Sequence, residues 1–325
     1  MPVVVTGSIA TDHLMTFSGK FREQFVEGQL EHLSLSFLVD DLVEHRGGAA
    51  ANIAFGLGLL GAGPVLVGAV GNDFADYDAW LVRHGVDTRS VHRSQLKHTS
   101  RFVCTTDQEN NQIASFYPGA MAEAAEIELA PVVQRVGAVD LVLVGPNDPA
   151  AMVRHTQECR QRGYPFAADP SQQLAFADGE MIRTLVDGAQ LLFTNEYESH
   201  LLLQKTGWSA AEVLDRVGQW VTTRGAEGVG VRSTGHPPVE VAAVAAVGPV
   251  EPTGGGDALR AGFLAGRAAG LSLERALQLG SAVATAAVEV VGTQNYTLPA
   301  AALLARLTGA YGPAAAEEIA PYLPS

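Results

Sequence analysis

The feature that most constrains the fold of this chain is a regular alternation of short β-rich runs with helical segments. The β-rich runs are apolar almost throughout, as strands buried on both faces of a sheet are. They are VVVTG (3–7), PVLVGAV (64–70), LVLVG (141–145), PFAAD (165–169) and LLFTN (191–195). Strands that alternate with helices form a parallel sheet covered by helices, so the pattern predicts an α/β fold.

Helical patterns fill the spaces between these strands and most of the C-terminal third of the chain. Between the strands, helices are predicted at about 49–61, 74–84, 149–161, 179–187 and 196–205. Residues 219–247 change to shorter strands, and the helical pattern then returns at 257–269, 273–290, 298–310 and 313–325. A chain of 325 residues fits one large α/β unit with a small additional one.

Two segments do not fit this alternation. Residues 13–45 contain LSLSFLVDD, and residues 96–118 contain RFVCTTDQENNQIASFYPG. Both show period-2 alternation with polar turn residues, which is typical of antiparallel strands outside the main sheet. We expect these two insertions to form a small β lid over the mouth of the α/β sheet, where a lid excludes water from a reacting phosphate.

The composition excludes several classes of function. The chain has 35 acidic and 21 basic residues, a formal net charge of −14, and no cluster of Lys and Arg. This balance argues against binding to nucleic acid or to an anionic membrane. Only Cys104 and Cys159 occur, and their spacing suggests neither a disulfide framework nor a zinc site. The start, MPVVVTGSIA, does not resemble a signal sequence, so we expect a cytoplasmic protein.

The stretch EPTGGGDALRAGF, residues 251–263, places three glycines and an acid at the start of a predicted helix. A helix N-terminus exposes unpaired N–H groups, and Gly254, Gly255 and Gly256 let those groups approach an anion closely. Asp257, beside a bound phosphate, would then accept a proton from an attacking hydroxyl. A flexible turn with Asp257 as a simple helix cap is the alternative, and the stretch alone does not separate the two.

A second glycine pair, in RGGAAANIAFGLG at 46–58, also precedes a predicted helix. Gly48 permits close backbone approach to a small polar ligand, and Asn52 offers both a donor and an acceptor. Ser8 and Asp12 follow the first strand, at the edge where ligands of open α/β sheets bind, and a carboxylate there can bridge two sugar hydroxyls. A glycine turn before a packed helix is the alternative.

Two later stretches suggest a nucleotide-binding side of the site. In TNEYESH, Asn195 and Glu198 lie on one helix face just after a strand, where Glu198 is suited to hold Mg²⁺ through its waters. In VTTRGAEGVGV, Thr223, Gly225 and Gly228 lie in a strand–turn–strand that could close over a nucleotide. An acidic helix start and a simple hairpin are the respective alternatives.

Taken together, these stretches resemble the ribokinase-like, or PfkB, family of carbohydrate and nucleoside kinases. RGGAAAN and PTGGGDALRAG resemble its two glycine signatures, and Asn195 with Glu198 resembles its NxxE motif, in the same order and spacing over nearly the whole chain. The resemblance implies a three-layer sandwich with a mostly parallel central sheet and a small β lid. It also implies ATP as cosubstrate, Mg²⁺ as metal and a homodimer formed through the lid.

Within the family, TGSIATDHL, IASFYPGAM and AADPSQQLA are most similar to bacterial adenosine kinases. This resemblance implies transfer of the ATP γ-phosphoryl group to the 5′-hydroxyl of adenosine, in purine salvage. Asp257 would be the general base, and the amides from Gly254 to Asp257 the anion hole. The nucleoside would be held by Ser8, Asp12, Gly48 and Asn52, with Phe102 and Phe116 stacked on the purine and Gln172 and Gln173 near it.

The sequence departs from the family pattern at two positions. Glu251 stands where the family usually has Asp, at a position associated with a monovalent cation, which puts activation by K⁺ in doubt. Leu259 replaces a common Phe.

Two other functions also stay open. A sugar kinase acting on ribose or fructose would use Phe102 and Phe116 as the core of the lid. A non-catalytic nucleoside-binding protein is the third candidate, and an intact Asp257 argues against it.

Overall fold

The central sheet is mostly parallel. The structure is a computed structural model, and it describes residues 2–25, 36–248 and 251–324. The strands of this sheet, numbered with all others in chain order, are β1 (Val3–Thr6), β4 (Val65–Val67), β9 (Leu141–Val144), β10 (Phe166–Ala168), β11 (Leu191–Asn195), β12 (Gln219–Thr223), β13 (Val229–Ser233) and β14 (His236–Val241). They lie in the order β14-β13-β12-β11-β10-β9-β1-β4, and all neighbours are parallel except at the β12-β13-β14 edge.

Helices cover both faces of this sheet because successive strand residues point to opposite sides. In β1, Val3 and Val5 join one buried apolar cluster, and Val4 joins the other. The first cluster is covered by α1 (Ala49–Leu59), α2 (Ala75–Arg83), α9 (Gly255–Ala268), α10 (Leu273–Val288), α11 (Ala300–Tyr311) and α12 (Pro313–Ile319). The second is covered by α3 (Leu129–Val136), α4 (Pro149–Arg162), α5 (Gln173–Phe176), α6 (Gly179–Val186), α7 (Glu196–Thr206) and α8 (Ala210–Leu214). The predicted α/β sandwich is confirmed.

A second sheet of four strands stands apart from the first. Its strands are β2 (Ala10–Thr16), β3 (Asp41–Gly47), β7 (Ser100–Thr106) and β8 (Gln112–Tyr117), in the order β3-β2-β7-β8. β2 and β7 are parallel, and the other two pairs are antiparallel. A further parallel pair is formed by β5 (Ala69–Val70) and β6 (His92–Arg93). None of the helices in the described ranges is long and apolar enough to cross a membrane.

The second sheet differs from the sequence-based expectation at two places. It begins at Ala10, so Asp12 lies within β2 and not in a connection after β1. Of the stretch LSLSFLVDD, residues 33–35 lie outside the described residues, and residues 36–39 are not in a strand. Phe37 packs instead against the rings of Phe17 and Phe21, at centroid distances of 4.9 and 5.3 Å. This aromatic cluster, rather than strand pairing, accounts for the apolar side chain at position 37.

Helix α3 was not predicted from the sequence, and its start explains why. Its first N–H groups, on Leu129 and Ala130, both donate to the carboxylate of Glu158 at 2.8 Å. Glu158 belongs to α4, so the cap that satisfies these orphan donors comes from a distant part of the chain. No local sequence signal marks such a helix start.

Candidate active site

Helix α9 is preceded by Gly254, which takes a backbone conformation that other residues rarely adopt. Gly254 has φ +84°, and a Cβ placed on it would lie 2.9 Å from the methyl group of Thr293. Both facts disfavour any L side chain at this position. The N–H of Gly255 donates to the carbonyl of Pro252 at 3.2 Å. The N–H groups of the next two residues, Gly256 and Asp257, lie in the first turn of the helix, where the negative charge of a phosphate is favoured.

The carboxylate of Asp257 lies in the first turn of α9 and uses one oxygen for a hydrogen bond. Nδ2 of Asn52 donates to Oδ2 of Asp257 at 2.9 Å. Burial raises the pKa of Asp257 to about 6, although Arg260 and the hydrogen bond from Asn52 act in the opposite direction. Such a carboxylate is ionised at neutral pH and is a stronger base than an exposed Asp. It is therefore suited to accept a proton.

An ion pair beside Asp257 is the main feature that the sequence analysis missed. Nη2 of Arg260 lies 2.6 Å from Oδ1 of Asp169, and both side chains are almost completely buried. The guanidinium also lies over the ring of Phe193, 5.4 Å from its centroid. A Cβ on Gly256 would lie 2.9 Å from Nη1 of Arg260, so the cation sits against the backbone at the start of α9.

Two local signals could have revealed this ion pair. Arg260 follows Asp257 by three residues, so both lie on one face of the predicted helix. Asp169 ends the predicted strand PFAAD, at the carboxyl edge where ligands of α/β sheets bind. Oδ2 of Asp169 and Nε of Arg260 have no hydrogen-bond partner among the described residues, which leaves polar atoms at this edge unsatisfied.

Four side chains form a row across the second sheet. Asp12 on β2 is the register partner of His45 on β3 and of Phe102 on β7, and Phe102 in turn is the register partner of Phe116 on β8. Residues in register point to the same face of a sheet. His45 lies against Gly292, whose Cβ would be 2.7 Å from its ring. The row therefore faces the loop that leads into Thr293.

The side chains of this row differ in how exposed they are. Phe116 is 51% exposed, and Phe102 is partly buried, so the two facing rings do not form an enclosed core. Burial raises the pKa of Asp12, while His45 and His13 act to lower it. The carboxylate of Asp12 lies close to the backbone of Gly47, where a Cβ would be 2.8 Å from Oδ2.

Ser8, in the connection from β1 to β2, lies against Gly48, which separates β3 from α1. Oγ of Ser8 accepts from the N–H of Ala49 at 3.0 Å. Gly48 has φ +92°, and a Cβ there would lie 2.6 Å from the carbonyl oxygen of Ser8. The structure thus brings both predicted residues to one point beside α1, the helix that carries Asn52.

The predicted nucleotide-binding residues lie side by side at the carboxyl edge of the central sheet. Asn195, at the end of β11, is the register partner of Thr223 at the end of β12. Gly225 and Gly228 both have positive φ, +54° and +103°, in the turn between β12 and β13. The strand–turn–strand is confirmed as a structure, and its contact with a nucleotide stays a prediction.

Asn195 and Glu198 are tied to each other by a capping box at the start of α7. Oδ1 of Asn195 accepts from the N–H of Glu198, and Oε2 of Glu198 accepts from the N–H of Asn195, both at 2.8 Å. Burial raises the pKa of Glu198, and Arg260 and Asp169 also act on it, with opposite signs. Glu198 therefore caps the helix with Oε2, and its second carboxylate oxygen is the one left to hold a metal.

The carboxylates at this edge fit Mg²⁺ held through water and phosphate rather than in a protein cage. Within the described ranges, no group of three or more His, Cys, Asp and Glu side chains could hold a metal by itself. Magnesium usually takes one or two carboxylates, and substrate phosphates and waters complete its octahedron. Glu198 and the unsatisfied oxygen of Asp169 are the groups that fit this role.

Three further predicted residues lie at the margin of the site. Gln172 is exposed after β10, and Nε2 of Gln173 donates to the carbonyl of Asn147 at 3.0 Å. The carboxylate of Glu251 turns back on its own loop, where it accepts from the N–H and the hydroxyl of Thr253 at 3.0 and 2.5 Å. Glu251 thus already has donors for one of its oxygens.

The fold and the site agree with one family of known proteins. Residues 12–301 match the sequence profile of the pfkB family carbohydrate kinases. The chain belongs to that family. Its predicted resemblance to the ribokinase-like kinases is confirmed.

Relatives of this pfkB family kinase include two archaeal proteins named nucleoside kinase. The one from Methanothermobacter thermautotrophicus is 31% identical over 271 residues, which is 82% of this chain and 86% of the relative. The one from Methanocaldococcus jannaschii is 29% identical over 257 residues, which is 78% of this chain and 82% of the relative.

A solved structure extends the likeness over nearly the whole chain. The ligand-free nucleoside kinase of Burkholderia thailandensis is 35% identical and has a TM-score of 0.84, with 94% of this chain and 99% of that chain covered. The same Burkholderia protein has been solved in complex with inosine and with ADP-inosine.

Proposed function

We propose that this pfkB family kinase transfers the γ-phosphoryl group of ATP to the 5′-hydroxyl of adenosine or a related purine nucleoside. The observation that carries the proposal is the row of Asp12, Phe102 and Phe116 on the face of the second sheet turned toward the Thr293 loop. A carboxylate beside two aromatic rings suits a ribose beside a base. Each ring stacked on a base contributes about 1–3 kcal/mol.

The exposure of Phe116 favours a nucleoside over a free sugar. If the two rings served only as the core of the lid, both would be buried, yet Phe116 is 51% exposed. Ribose or fructose has no aromatic face for these rings to stack on. The names of the two archaeal relatives and of the Burkholderia protein support the same choice.

In the proposed reaction the 5′-oxygen attacks the γ-phosphorus, the new O–P bond forms, and the bond to the β-phosphate oxygen breaks to release ADP. Asp257 accepts the hydroxyl proton at Oδ1, because Oδ2 already accepts from Asn52. The N–H groups at the start of α9 stabilise the charge on the phosphoryl oxygens. Arg260 adds a fixed positive charge behind those groups.

On the donor side, Asn195, Thr223, Gly225 and Gly228 would contact ATP, and Glu198 would hold Mg²⁺ through water. When bound, Mg²⁺ neutralises charge on the phosphates. Gln172 and Gln173 would lie near the purine, with Gln172 exposed and Gln173 bonded to the carbonyl of Asn147. The protein side chains orient both substrates and exclude water from them.

Release of ADP with a panel of acceptors tests this function. The panel contains adenosine, inosine, ribose and fructose, each with ATP and Mg²⁺. We expect kcat/KM to be highest for adenosine and to exceed that for either sugar. Preference for ribose or fructose would identify a sugar kinase, whereas tight nucleoside binding without turnover would identify a binding protein.

Replacement of the base tests the catalytic assignment. Asp257→Asn is expected to lower kcat by about 10²–10⁴ and to leave nucleoside binding nearly intact, since a general base acts on the transition state. Asp76→Asn is the matched control, because Asp76 is an exposed acid in the first turn of α2. Activity of Asp257→Asn within a few-fold of this control would remove Asp257 from its role.

The second sheet is also proposed to join two subunits in a homodimer. On the face opposite Asp12 it exposes Leu42, Ile113 and Tyr117, at 59%, 44% and 44%. Exposed apolar side chains grouped on one surface are typical of contact sites between proteins. One face would then serve the substrate and the other a second copy of the chain.

A further inference from the structure

A chain of hydrogen bonds runs through buried side chains from the second sheet to Asp257. The hydroxyl of Tyr77 donates to the carbonyl of Gly47, the last residue of β3, at 2.9 Å. Nε2 of Gln294 donates to Oη of Tyr77 at 2.5 Å and to Oδ1 of Asn52 at 2.9 Å. Nδ2 of Asn52 then donates to Asp257 at 2.9 Å. The three linking side chains are at most 5% exposed, so water does not compete for these bonds.

The two ends of this chain fix the direction of every bond. The Gly47 carbonyl and the ionised Asp257 carboxylate can only accept. Tyr77 must therefore give its single proton to Gly47, and burial, which raises the pKa of this hydroxyl, keeps the proton on it. Asn52 must turn its NH₂ group toward Asp257, and its oxygen consequently faces Gln294.

The position between Tyr77 and Asn52 therefore requires a double donor. Among uncharged side chains, a primary amide supplies two N–H bonds from one nitrogen, and Gln294 uses both. Oγ of Thr293 lies 2.9 Å from Oδ1 of Asn52, but its single proton is also within reach of the carbonyl of Arg46 at 2.8 Å, so Gln294 is the donor committed to Asn52. Without Gln294, the amide of Asn52 loses much of what holds its N–H toward Asp257.

We propose that Gln294 and Tyr77 are positioning residues for phosphoryl transfer, which orient the Asn52 amide toward Asp257 and tie it to strand β3. Neither side chain touches a reacting group. The bond from Asn52 occupies Oδ2 of Asp257 and leaves Oδ1 to receive the proton. This inference rests on the proposed role of Asp257 as the base and extends it to residues far away in sequence.

The test uses one variant at each link and a matched control. Gln294→Met keeps the length of the side chain and removes both donors, and Tyr77→Phe removes only the hydroxyl. Gln278→Met is the control, because Gln278 is also buried but bonds Glu274 and Arg275 within α10, away from the site. All variants keep the full chain and all groups that touch the substrates.

We expect Gln294→Met to lower kcat for the nucleoside about tenfold relative to the control, with KM for ATP within about twofold. Tyr77→Phe is expected to lower kcat by a smaller factor, because Asn52 keeps its bond to Gln294. The second readout needs no turnover. It is the titration of the γ-carbon NMR signal of Asp257, assigned by its loss in Asp257→Asn.

The titration midpoint of Asp257 is expected to rise by about one pH unit in Gln294→Met, because the ionised carboxylate loses a donor. The charged groups that face Asp257 are Arg260 on its own helix, Asp169 after β10 and Glu198 on α7. These groups are the same in every variant, so they do not contribute to the difference. Gln278→Met should leave the midpoint unchanged.

The outcomes separate this inference from the proposed function. An unchanged midpoint in Gln294→Met overturns the positioning role, even if kcat falls through a loss of stability. A kcat equal to that of the control overturns it as well. If the wild-type protein phosphorylates no nucleoside but the midpoint still rises, the proposed function fails and the orientation of Asn52 toward Asp257 by Gln294 stands.

Discussion

Asp257 combines two opposing requirements in one side chain. Its proposed role requires a negative charge, and burial makes that charge costly, which is why its pKa rises to about 6. Arg260, held in place by Asp169, offsets part of this cost from the next turn of the same helix. The result is a base that is charged at neutral pH and still able to take up a proton.

The activity is expected to fall below about pH 6, where Asp257 becomes protonated. A base must be ionised to act, so kcat should fall about tenfold per pH unit below that value. The measurement is kcat for the nucleoside between pH 5 and 9, with Asp76→Asn as control. A flat profile across pH 6 would contradict the assignment.

Stability should show the opposite dependence on pH. The pKa of Asp257 is about 6 in the folded chain and 3.8 in a model peptide, so the folded form binds its proton more tightly. The contribution to stability is therefore largest below about pH 4 and is lost as the pH rises through 6. At pH 8, Asp257→Asn should raise the free energy of unfolding by up to about 3 kcal/mol.

Urea unfolding at several pH values measures this difference. The gain of Asp257→Asn over the wild-type protein should narrow as the pH falls from 8 toward 4. A gain that does not change with pH would show that burial of the charge is not its cause.

At the scale of elements, the start of α9 and the row on the second sheet carry the two halves of the proposed reaction. In the proposed reaction the start of α9 would offer N–H groups to the phosphoryl group, and its geometry depends on Gly254. The row would offer a carboxylate and two rings to the nucleoside. Each can be altered by its own substitution, because α9 is a helix of the central sandwich and the row lies on the second sheet.

Gly254→Ala is expected to disable phosphoryl transfer. Gly270 is the matched control, because it has the same φ of +84° but nothing within 4 Å of an added Cβ. Both substitutions should cost about 1–2 kcal/mol of stability through the left-handed backbone. Only Gly254→Ala also meets Thr293, so only this variant should lose kcat at least tenfold. Equal kcat values for the two variants would argue against a catalytic role of this turn.

Phe102→Ala is expected to raise KM for adenosine about tenfold or more and to leave KM for ATP nearly unchanged, because a stacked ring stabilises the bound base. Val103→Ala is the matched control, since Val103 follows Phe102 on β7 and points to the opposite face of the same sheet. Steady-state kinetics with each substrate varied in turn measure the effect. An equal rise of both KM values would indicate a general disturbance of the sheet.

At the scale of the whole molecule, the second sheet presents apolar groups on both of its faces. Leu14, Val43 and Phe116 are exposed on the face with Asp12, and Leu42, Ile113 and Tyr117 on the other. The face with Asp12 is the one proposed to bind the nucleoside, so in a single subunit the opposite face would stay uncovered. This is the physical basis for the proposed homodimer.

Ile113→Lys is expected to weaken the dimer by placing a charge in an apolar contact. Val82→Lys is the control, because Val82 is a comparably exposed side chain on α2. Sedimentation velocity over a range of concentrations measures the association. A monomeric wild-type protein, or equal association of both variants, would contradict the proposed interface.

The sequence predicts those parts of the structure that depend on neighbouring residues. Five strands of the central sheet, β1, β4, β9, β10 and β11, were predicted because each is apolar on both faces, as Val3 to Val5 illustrate. Asn52 and Asp257 were identified because glycines precede each of them, and the structure joins the two by a hydrogen bond. A local pattern is enough for such residues.

Residues that are assembled only by the fold could not be predicted. Tyr77 and Gln294 are 217 positions apart, and neither lies in a pattern that separates it from an ordinary packed residue. The start of α3 depends on Glu158 for the same reason. In each case the partner comes from a distant element, so no stretch of sequence carries the information by itself.

Two connections between the second sheet and the rest of the molecule are very short. Only Gly7, Ser8 and Ile9 separate β1 from β2, and only Gly48 separates β3 from α1. The second sheet therefore cannot rotate relative to the central sheet without also moving Ser8 and Gly48, which lie in these connections. Because the N–H of Asn52 donates to the carbonyl of Gly48 at 2.9 Å, such a rotation would also act on the residue that bonds Asp257.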